Sequence, residues 1–232
     1  MEQEKFSLPE ENPFEILDQE IGRLNRSFDS LDEEGWTMQT RCDEWRVREM
    51  VAHFDSDEAY NEACLEDKLK ERYAIFTDFD DFNKKQVQMR AHLSNEEILS
   101  QWRRRQSGVS REWEDLGLDA MIPTSIGPYP LRSQIWHITS EYATHGDDMY
   151  IAILEEEKES RLQWRVQFSL YAVQEKKSPP GLERKDDQII VSLGDRHISL
   201  SQEDFVAAVS LRLPFPEDEA DKKVIKSLRS LA

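Results

Sequence analysis

The chain has 232 residues, of which 38% are hydrophobic and 34% are charged, a composition typical of a folded globular protein. This length accommodates one large domain, or a domain of about 150 residues with a smaller companion. The formal net charge of −18 repels phosphate backbones and anionic lipid headgroups. We therefore expect neither a nucleic-acid partner nor a membrane partner.

The cysteines and the N-terminal sequence favour a cytoplasmic protein. Cys42 and Cys64 lack the Cys-x-x-Cys spacing of redox and metal motifs. The stretch MEQEKFSLPEENPF has no basic region followed by an apolar run, and no segment approaches about 18 consecutive apolar residues. We expect free thiols in a reducing compartment.

Four stretches have apolar residues at steps of three and four, the spacing of amphipathic helices. They cover residues 13–31, 47–65, 95–116 and 131–156, and the first and third have recognisable ends. Pro13 suits a first helical position, Ser94 and Glu97 form a capping box, and Gly117 suits a C-cap. The proline-rich stretch MIPTSIGPYP at 121–130 reads as a long crossing loop, and FTDFDDFN, within the charged segment 66–90, as a loop or a short helix. Four such helices predict a four-helix bundle.

The pattern changes after the EEEKES run. Residues 161–174 look helical, and QIIVSL and RHISL flank Gly194-Asp195, which predicts a β-hairpin with a two-residue turn. SQEDFVAAVSLRL, with Ser201 as its cap, and EDEADKKVIKSLRSLA are expected to form two further helices. The sequence thus predicts a mainly α protein: a bundle domain at 10–157 and a small α+β domain at 158–232.

Three polar side chains of the fourth helix share one face. Residues four apart in a helix lie about one turn apart on the same side, so His137, Glu141 and His145 form a row. His53 occurs in the apolar stripe of the second helix, and bundles build metal sites from inward-facing histidines and carboxylates. His53, Glu141 and His145 would suit Zn²⁺ with an open position, and also Fe(II) or Ni(II). The alternative is a core histidine beside a solvated helix face.

Two motifs indicate a family. RCDEWRVREMVAHF, which contains His53, and SEYATHGDDM, which contains Glu141 and His145, resemble the mycothiol-dependent maleylpyruvate isomerase family in the DinB-like superfamily of metal-binding four-helix bundles. The resemblance covers roughly residues 10–155. It implies a metal triad of His53, Glu141 and His145, with the aspartate after the last ligand at Asp147. It also implies a divalent metal, typically Zn²⁺, and a low-molecular-weight thiol used in isomerisation or thiol transfer.

The tail departs from the family pattern. Family members often carry a Ser-Gly-Arg element in which the arginine helps to hold a carboxylate substrate. This chain has Ser210-Leu211-Arg212 instead. Arg212 is a substrate-binding candidate, because a guanidinium pairs bidentately with carboxylates. The alternative is an ordinary arginine at a helix end.

Several neighbouring residues have secondary interpretations. His137 is a candidate to support the ligands from behind, and its alternatives are a spare ligand and a purely structural role. Asp57 is a candidate to orient a ligand imidazole, as carboxylates often do around zinc. Tyr60 and Cys64 share the stripe of His53 and are expected to line the cavity. We expect Cys42 to be packed and inert. We assign no catalytic residue, and we expect Asp148 and the acids at 78–81 and 155–157 to lie on the surface.

The resulting hypothesis is a metal-dependent, thiol-using enzyme that acts on a small electrophile as an isomerase or a thiol S-transferase. Mycothiol is the thiol that the resemblance implies, while glutathione, bacillithiol and ergothioneine present the same sulfur. The alternatives are a metal-dependent hydrolase that uses water activated by the ion, and a non-enzymatic metal- or ligand-binding module. The apolar stripes can all be buried inside one bundle, so they define no oligomeric state.

Overall fold

A computed structural model describes residues 5–73 and 79–231 of the chain. Contacts divide the chain into two compact units, residues 13–151 and residues 152–232 together with the residues before 13. The first unit holds helices α1 (Pro13–Phe28), α2 (Glu33–Thr37), α3 (Val47–Leu65), α4 (Leu69–Tyr73), α5 (Phe79–Met89), α6 (Asn95–Leu116) and α7 (Leu131–Asp148), with strands β1 (Met121–Thr124) and β2 (Gly127–Pro130). The second holds α8 (Glu155–Gln174), β3 (Gly181–Lys185), β4 (Gln188–Leu193), β5 (Arg196–Ser201), α9 (Gln202–Val209) and α10 (Glu219–Leu228).

The first unit is built on the four long helices α1, α3, α6 and α7. Helix α3 packs extensively against α6, and α1 against α7. Large side chains fill the space between them, among them Leu17, Leu24, Phe54, Trp102 and Trp113, each at most 1% exposed. Burial of each such side chain contributes about 1.5–3 kcal/mol. The predicted fold class, a mainly α protein with a four-helix bundle and a small α+β region, is confirmed.

Several predicted helix ends are also confirmed. Helix α1 begins at Pro13. The backbone N–H of Ser94 donates to the Glu97 carboxylate at 2.7 Å, and the N–H of Glu97 donates to Oγ of Ser94 at 3.2 Å. Gly117 follows α6 with a φ of 78°, the left-handed region that favours glycine. Local capping chemistry therefore fixes where these helices start and stop.

The predicted extension of the fourth helix to 156 is wrong, because α7 ends at Asp148. Tyr150 adopts a φ of 58°, and the backbone N–H of Ile151 donates to the carbonyl of Gly146 at 3.0 Å. This bond satisfies a carbonyl of the last turn and closes the helix. A separate helix, α8, begins at Glu155, earlier than the predicted residue 161, since acidic residues are favourable in a first turn.

Residues 121–130, predicted as a crossing loop, form an antiparallel hairpin of β1 and β2. The strands pair from Met121↔Pro130 to Thr124↔Gly127, and Gly127 has a φ of 106°. A two-stranded ribbon has outward-facing edges, where the missing N–H of a proline breaks no ladder bond. The prolines therefore do not exclude strands here.

The second unit contains a three-stranded antiparallel sheet in the order β3-β4-β5. The predicted hairpin around Gly194 and Asp195 is confirmed as β4 and β5, and the predicted cap of α9 is confirmed by a 3.1 Å hydrogen bond from the N–H of Asp204 to Oγ of Ser201. Strand β3 was not predicted, because GLERK lacks the β-branched and aromatic residues that mark strands. None of the described helices is long and apolar enough to cross a membrane.

Candidate metal centre

Helices α3 and α7 bring His53, Glu141 and His145 together. Nε2 of His53 lies 2.9 Å from Oε1 of Glu141, and Nε2 of His145 lies 3.0 Å from the same oxygen. The candidate ligand atoms of the three side chains all lie within 4.8 Å of one another. Both imidazoles are thus aimed at a single point beside one carboxylate, an arrangement that can hold a divalent cation.

Asp148 lies behind His145. Its Oδ2 is 2.9 Å from Nδ1 of His145, and its carboxylate is fully buried. The expectation that Asp148 lies on the surface is wrong, because it is three residues after His145 on the same helix and faces inward with it. A buried carboxylate accepts the Nδ1 hydrogen and leaves the lone pair of Nε2 available for a metal. The neighbouring Asp147 is partly exposed.

The Cys42 thiol packs against Asp148. It donates to Oδ2 at 3.4 Å, and the backbone N–H of Arg41 donates to the carbonyl of Asp148 at 3.0 Å. The segment before α3 is therefore tied to the end of α7. Cys64, in contrast, is buried within α3, where burial raises the pKa of its thiol to about 11 and leaves it protonated at neutral pH.

Asp57 lies on the ligand side of His53. Its Oδ2 is 3.4 Å from Nε2, the nitrogen that faces Glu141, whereas an orienting carboxylate behind the ring would contact Nδ1. Among the described residues, Nδ1 of His53 has no hydrogen-bond partner. Asp57 therefore lies beside the nitrogen of His53 that faces Glu141, and it does not orient the ring from behind.

His137 and Tyr60 contact the hairpin of β1 and β2. Nε2 of His137 lies 2.9 Å from the hydroxyl of Tyr129, and the hydroxyl of Tyr60 donates to Oγ of Ser125 at 3.1 Å. The backbone N–H of Ser125 in turn donates to the Tyr60 oxygen at 3.0 Å. His137, Glu141 and His145 all lie on α7 as predicted, but the His137 side chain hydrogen-bonds to Tyr129 of β2.

The electrostatics of the triad follow from burial and the nearby carboxylates. Burial alone would lower the pKa of His145, but Glu141 and Asp148 raise it well above its ordinary value. Burial lowers the pKa of His53 and opposes ionisation of Glu141, yet the two imidazoles hold the pKa of Glu141 well below its usual range. Burial and then Glu141 raise the pKa of Asp57. A cluster of carboxylates around two imidazoles fits a divalent cation.

Solvent reaches the triad from one side. The side chain of Glu141 is 20% exposed, whereas those of His53 and His145 are 2% and 5% exposed. Trp45 covers another side, with its ring 4.9 Å from that of His53 between centroids. No role was predicted for Trp45, although it lies within the motif that contains His53.

A polar network that was not predicted joins side chains of α3, α6 and α7. The hydroxyl of Tyr142 donates to the carboxyl of Glu58, and Nε1 of Trp102 donates to that hydroxyl at 2.9 Å. Nδ2 of Asn61 donates to Glu58 at 3.2 Å, and Nε2 of Gln134 donates to Asn61 at 3.0 Å. Burial raises the pKa of Glu58 to about 7.

Comparison with known proteins decides the family. Residues 17–150 match the family model of the mycothiol maleylpyruvate isomerase N-terminal domain. The chain belongs to this family. No curated protein sequence matches it.

Two solved structures share the fold of this family member. A mycothiol-dependent maleylpyruvate isomerase matches with a TM-score of 0.54, 11% identity and 68% coverage of each chain. A histidine-to-alanine mutant of the mycothiol-dependent maleylpyruvate isomerase matches with a TM-score of 0.53, the same identity and the same coverage. At this identity the likeness concerns the fold alone.

Arg212 lies in the second unit, after α9. Its guanidinium donates to the carbonyl of Ser210 at 2.6 Å. Leu211, which stands where the family resemblance places glycine, has a φ of 57°, in the left-handed region that glycine favours. The backbone of this segment therefore keeps a glycine-type conformation without the glycine.

Proposed function

We propose that this protein binds one divalent cation through His53, Glu141 and His145 and uses it to activate a small thiol. The observation that carries the proposal is the convergence of two imidazole nitrogens on one carboxylate oxygen at a place that solvent reaches. Membership of a mycothiol-related family supports the choice of a thiol. Access from the Glu141 side favours an enzyme over a closed structural site.

The donor set suits Zn²⁺, and Ni²⁺ or Fe²⁺ would also be accepted by two imidazoles and a carboxylate. A divalent cation bound there supplies positive charge that stabilises a thiolate over a thiol. Asp148 holds the His145 ring in the orientation that presents Nε2. Because the solved relative is described as mycothiol-dependent, mycothiol is the first candidate cosubstrate.

The chemistry we propose is addition of the thiolate sulfur to an electrophilic alkene. The new sulfur–carbon bond forms as the alkene π pair moves onto a conjugated carbonyl. Rotation about the resulting single bond and expulsion of the thiolate give the isomerised alkene, with no net change in oxidation state. If the adduct takes up a proton instead, the product is a thiol conjugate. We propose Arg212 as the contact for a substrate carboxylate.

The test is thiol-dependent turnover by the zinc-loaded protein. Maleylpyruvate serves as the isomerisation substrate and diethyl maleate, an activated alkene, as a conjugation substrate, each with and without mycothiol. We expect turnover only with the thiol, and its loss in His145→Ala, with His197→Ala as a matched control in the second unit. Equal turnover without any thiol would contradict the proposal and favour a hydrolase.

A further inference from the structure

A sulfur, a nitrogen and an oxygen meet on the Nδ1 side of the His145 ring. Sγ of Cys42 lies 3.4 Å from Oδ2 of Asp148, and the same oxygen lies 2.9 Å from Nδ1 of His145. The candidate ligand atoms of these three side chains all lie within 4.8 Å of one another. We call this cluster the Cys42 site. The proposed function uses only Nε2 of the ring and gives the thiol no part.

The distances within the Cys42 site suit a tetrahedral cation. Zinc bonds of about 2.3 Å to sulfur and about 2.1 Å to oxygen, at a tetrahedral angle, separate the two ligand atoms by about 3.6 Å. The observed separation of Sγ and Oδ2 is 3.4 Å. Nδ1 and Oδ2, at 2.9 Å, would move apart by about 0.5 Å to share an ion in place of a hydrogen. Binding therefore requires little rearrangement of the three side chains.

The turn that carries Cys42 is held by its own hydrogen bonds. Nε2 of Gln39 donates to the carbonyl of Cys42 at 2.9 Å and to the carbonyl of Trp45 at 3.0 Å. The backbone N–H of Cys42 donates to Oγ1 of Thr40 at 3.1 Å. The thiol is thus positioned beside Asp148 before any ion arrives, which lowers the ordering cost of binding.

The hydrogen bonds of the His145 ring make the triad and the Cys42 site alternatives. A neutral imidazole carries one N–H and one lone pair. With the hydrogen on Nδ1, Asp148 accepts it and the lone pair of Nε2 faces the triad. With the hydrogen on Nε2, Glu141 accepts it at 3.0 Å and the lone pair of Nδ1 faces the Cys42 site. The single lone pair serves one ion at a time.

The two sites differ in the kind of cation that they favour. The triad offers only nitrogen and oxygen ligands, whereas the Cys42 site adds a thiolate, which prefers softer cations. The thiolate and the Asp148 carboxylate together balance the charge of a divalent ion, as a buried charge requires. Cys42 is only half-buried, so an ion can reach its sulfur from solvent.

We propose that Cys42, His145 and Asp148 form a second metal site, which takes a thiophilic cation softer than zinc and alternates with the triad through His145. The thiol proton leaves as the ion binds, and the ring hydrogen is held on Nε2 by Glu141. A thiophilic ion therefore weakens zinc binding, and zinc weakens its binding by the same factor. The Cys42 site itself does not rest on the proposed function, but its competition with the triad does.

The experiment is a titration of the metal-stripped protein with Cd²⁺, followed by the ultraviolet charge-transfer absorption of a thiolate–cadmium bond. We expect this absorption to saturate at one equivalent in the wild type and to be lost in Cys42→Ser. Cys64→Ser, at the buried thiol, is the matched control and should keep it. Asp148→Asn should weaken cadmium binding by at least about tenfold, a loss of 1.4 kcal/mol, and Asp147→Asn should leave it unchanged.

Competition with zinc tests the shared ring. One equivalent of zinc should weaken cadmium binding by about tenfold or more in the wild type and by much less in Glu141→Ala, which keeps the Cys42 site. Thermal unfolding monitors the fold of each variant. No sulfur absorption, the same absorption in Cys42→Ser, or its loss in Cys64→Ser would overturn the second site. An absorption that requires Cys42 but does not respond to zinc in the wild type would retain the site and contradict the triad.

Discussion

His145 and Asp148 are joined by a 2.9 Å hydrogen bond between Nδ1 and Oδ2, one turn apart on α7, with Asp148 fully buried. The Asp148 carboxylate orients the His145 ring through Nδ1, whereas Nδ1 of His53 has no hydrogen-bond partner among the described residues. This contact makes His145 the candidate ligand whose ring orientation is fixed from behind. The metal affinity should therefore depend on a residue that does not touch the metal.

Asp148→Asn is expected to weaken zinc binding by about 10- to 100-fold, the usual cost of losing a partner behind a ligating histidine. Competition with a chromophoric chelator measures the affinity. Asp147→Asn, at the partly exposed neighbouring position, removes the same charge without that contact and should leave the affinity unchanged. Equal affinities of the two variants would show that Asp148 does not support the ligand.

Glu58 should make the free energy of unfolding depend on pH. Its pKa is raised by burial from 4.5 to about 7, so the folded state binds this proton more tightly than the unfolded state does. Stability from Glu58 is therefore present at acid pH and is lost as the pH rises between these values. The loss is on the order of 3 kcal/mol.

The comparison of Glu58→Gln with the wild type isolates this contribution. The stability of the variant relative to the wild type should increase as the pH rises from acid to neutral, measured by urea unfolding across that range. Glu155→Gln, at an exposed position on α8, is the control and should follow the wild type. Parallel pH profiles of Glu58→Gln and the wild type would contradict a raised pKa for Glu58.

A buried ion cluster joins Asp55 of α3 to Arg105 of α6 and to Arg90, the residue after α5. The Asp55 carboxylate, 1% exposed, accepts from Nε of Arg90 at 2.6 Å and lies 3.0 Å from Nε of Arg105. Asp55→Asn should lower the free energy of unfolding by about 3–5 kcal/mol, because it leaves a buried guanidinium without its counter-charge. Denaturant unfolding measures the change in the free energy of unfolding. Glu155→Gln removes an exposed ion pair, and a decrease in Asp55→Asn no larger than the decrease in this control would contradict the prediction.

The bundle was predictable because its signals are local. Apolar residues at steps of three and four, Pro13 at a helix start and Gly117 at a helix end each act within a few residues. The hairpin at 121–130 was not predictable in this way, because prolines ordinarily argue against strands. The hairpin packs against α3 and α7, and its contacts with α3 are distant in sequence. Likewise, the end of α7 depends on Tyr150 adopting a left-handed conformation that tyrosine rarely favours.

The candidate site was predictable only in part. The spacing of Glu141 and His145 places them on one helix face, and the bundle brings His53 opposite them. The position of Asp148 three residues after His145 could have indicated its contact with that ring. The adjacent Asp147 is also an aspartate, however, so the sequence did not show which of the two carboxylates makes the contact. Which of two neighbouring acids turns inward depends on packing against other elements, and that information is not local.

The central claim is that His53, Glu141 and His145 hold one divalent cation. The most direct measurement is the metal content and zinc affinity of stripped and reloaded protein, for the wild type and for His53→Ala, Glu141→Ala and His145→Ala. His197→Ala, an exposed histidine in β5, is the control. We predict one equivalent of zinc in the wild type and the control and loss of stoichiometric zinc in the three variants. Stoichiometric zinc with unchanged affinity in those variants would contradict the account.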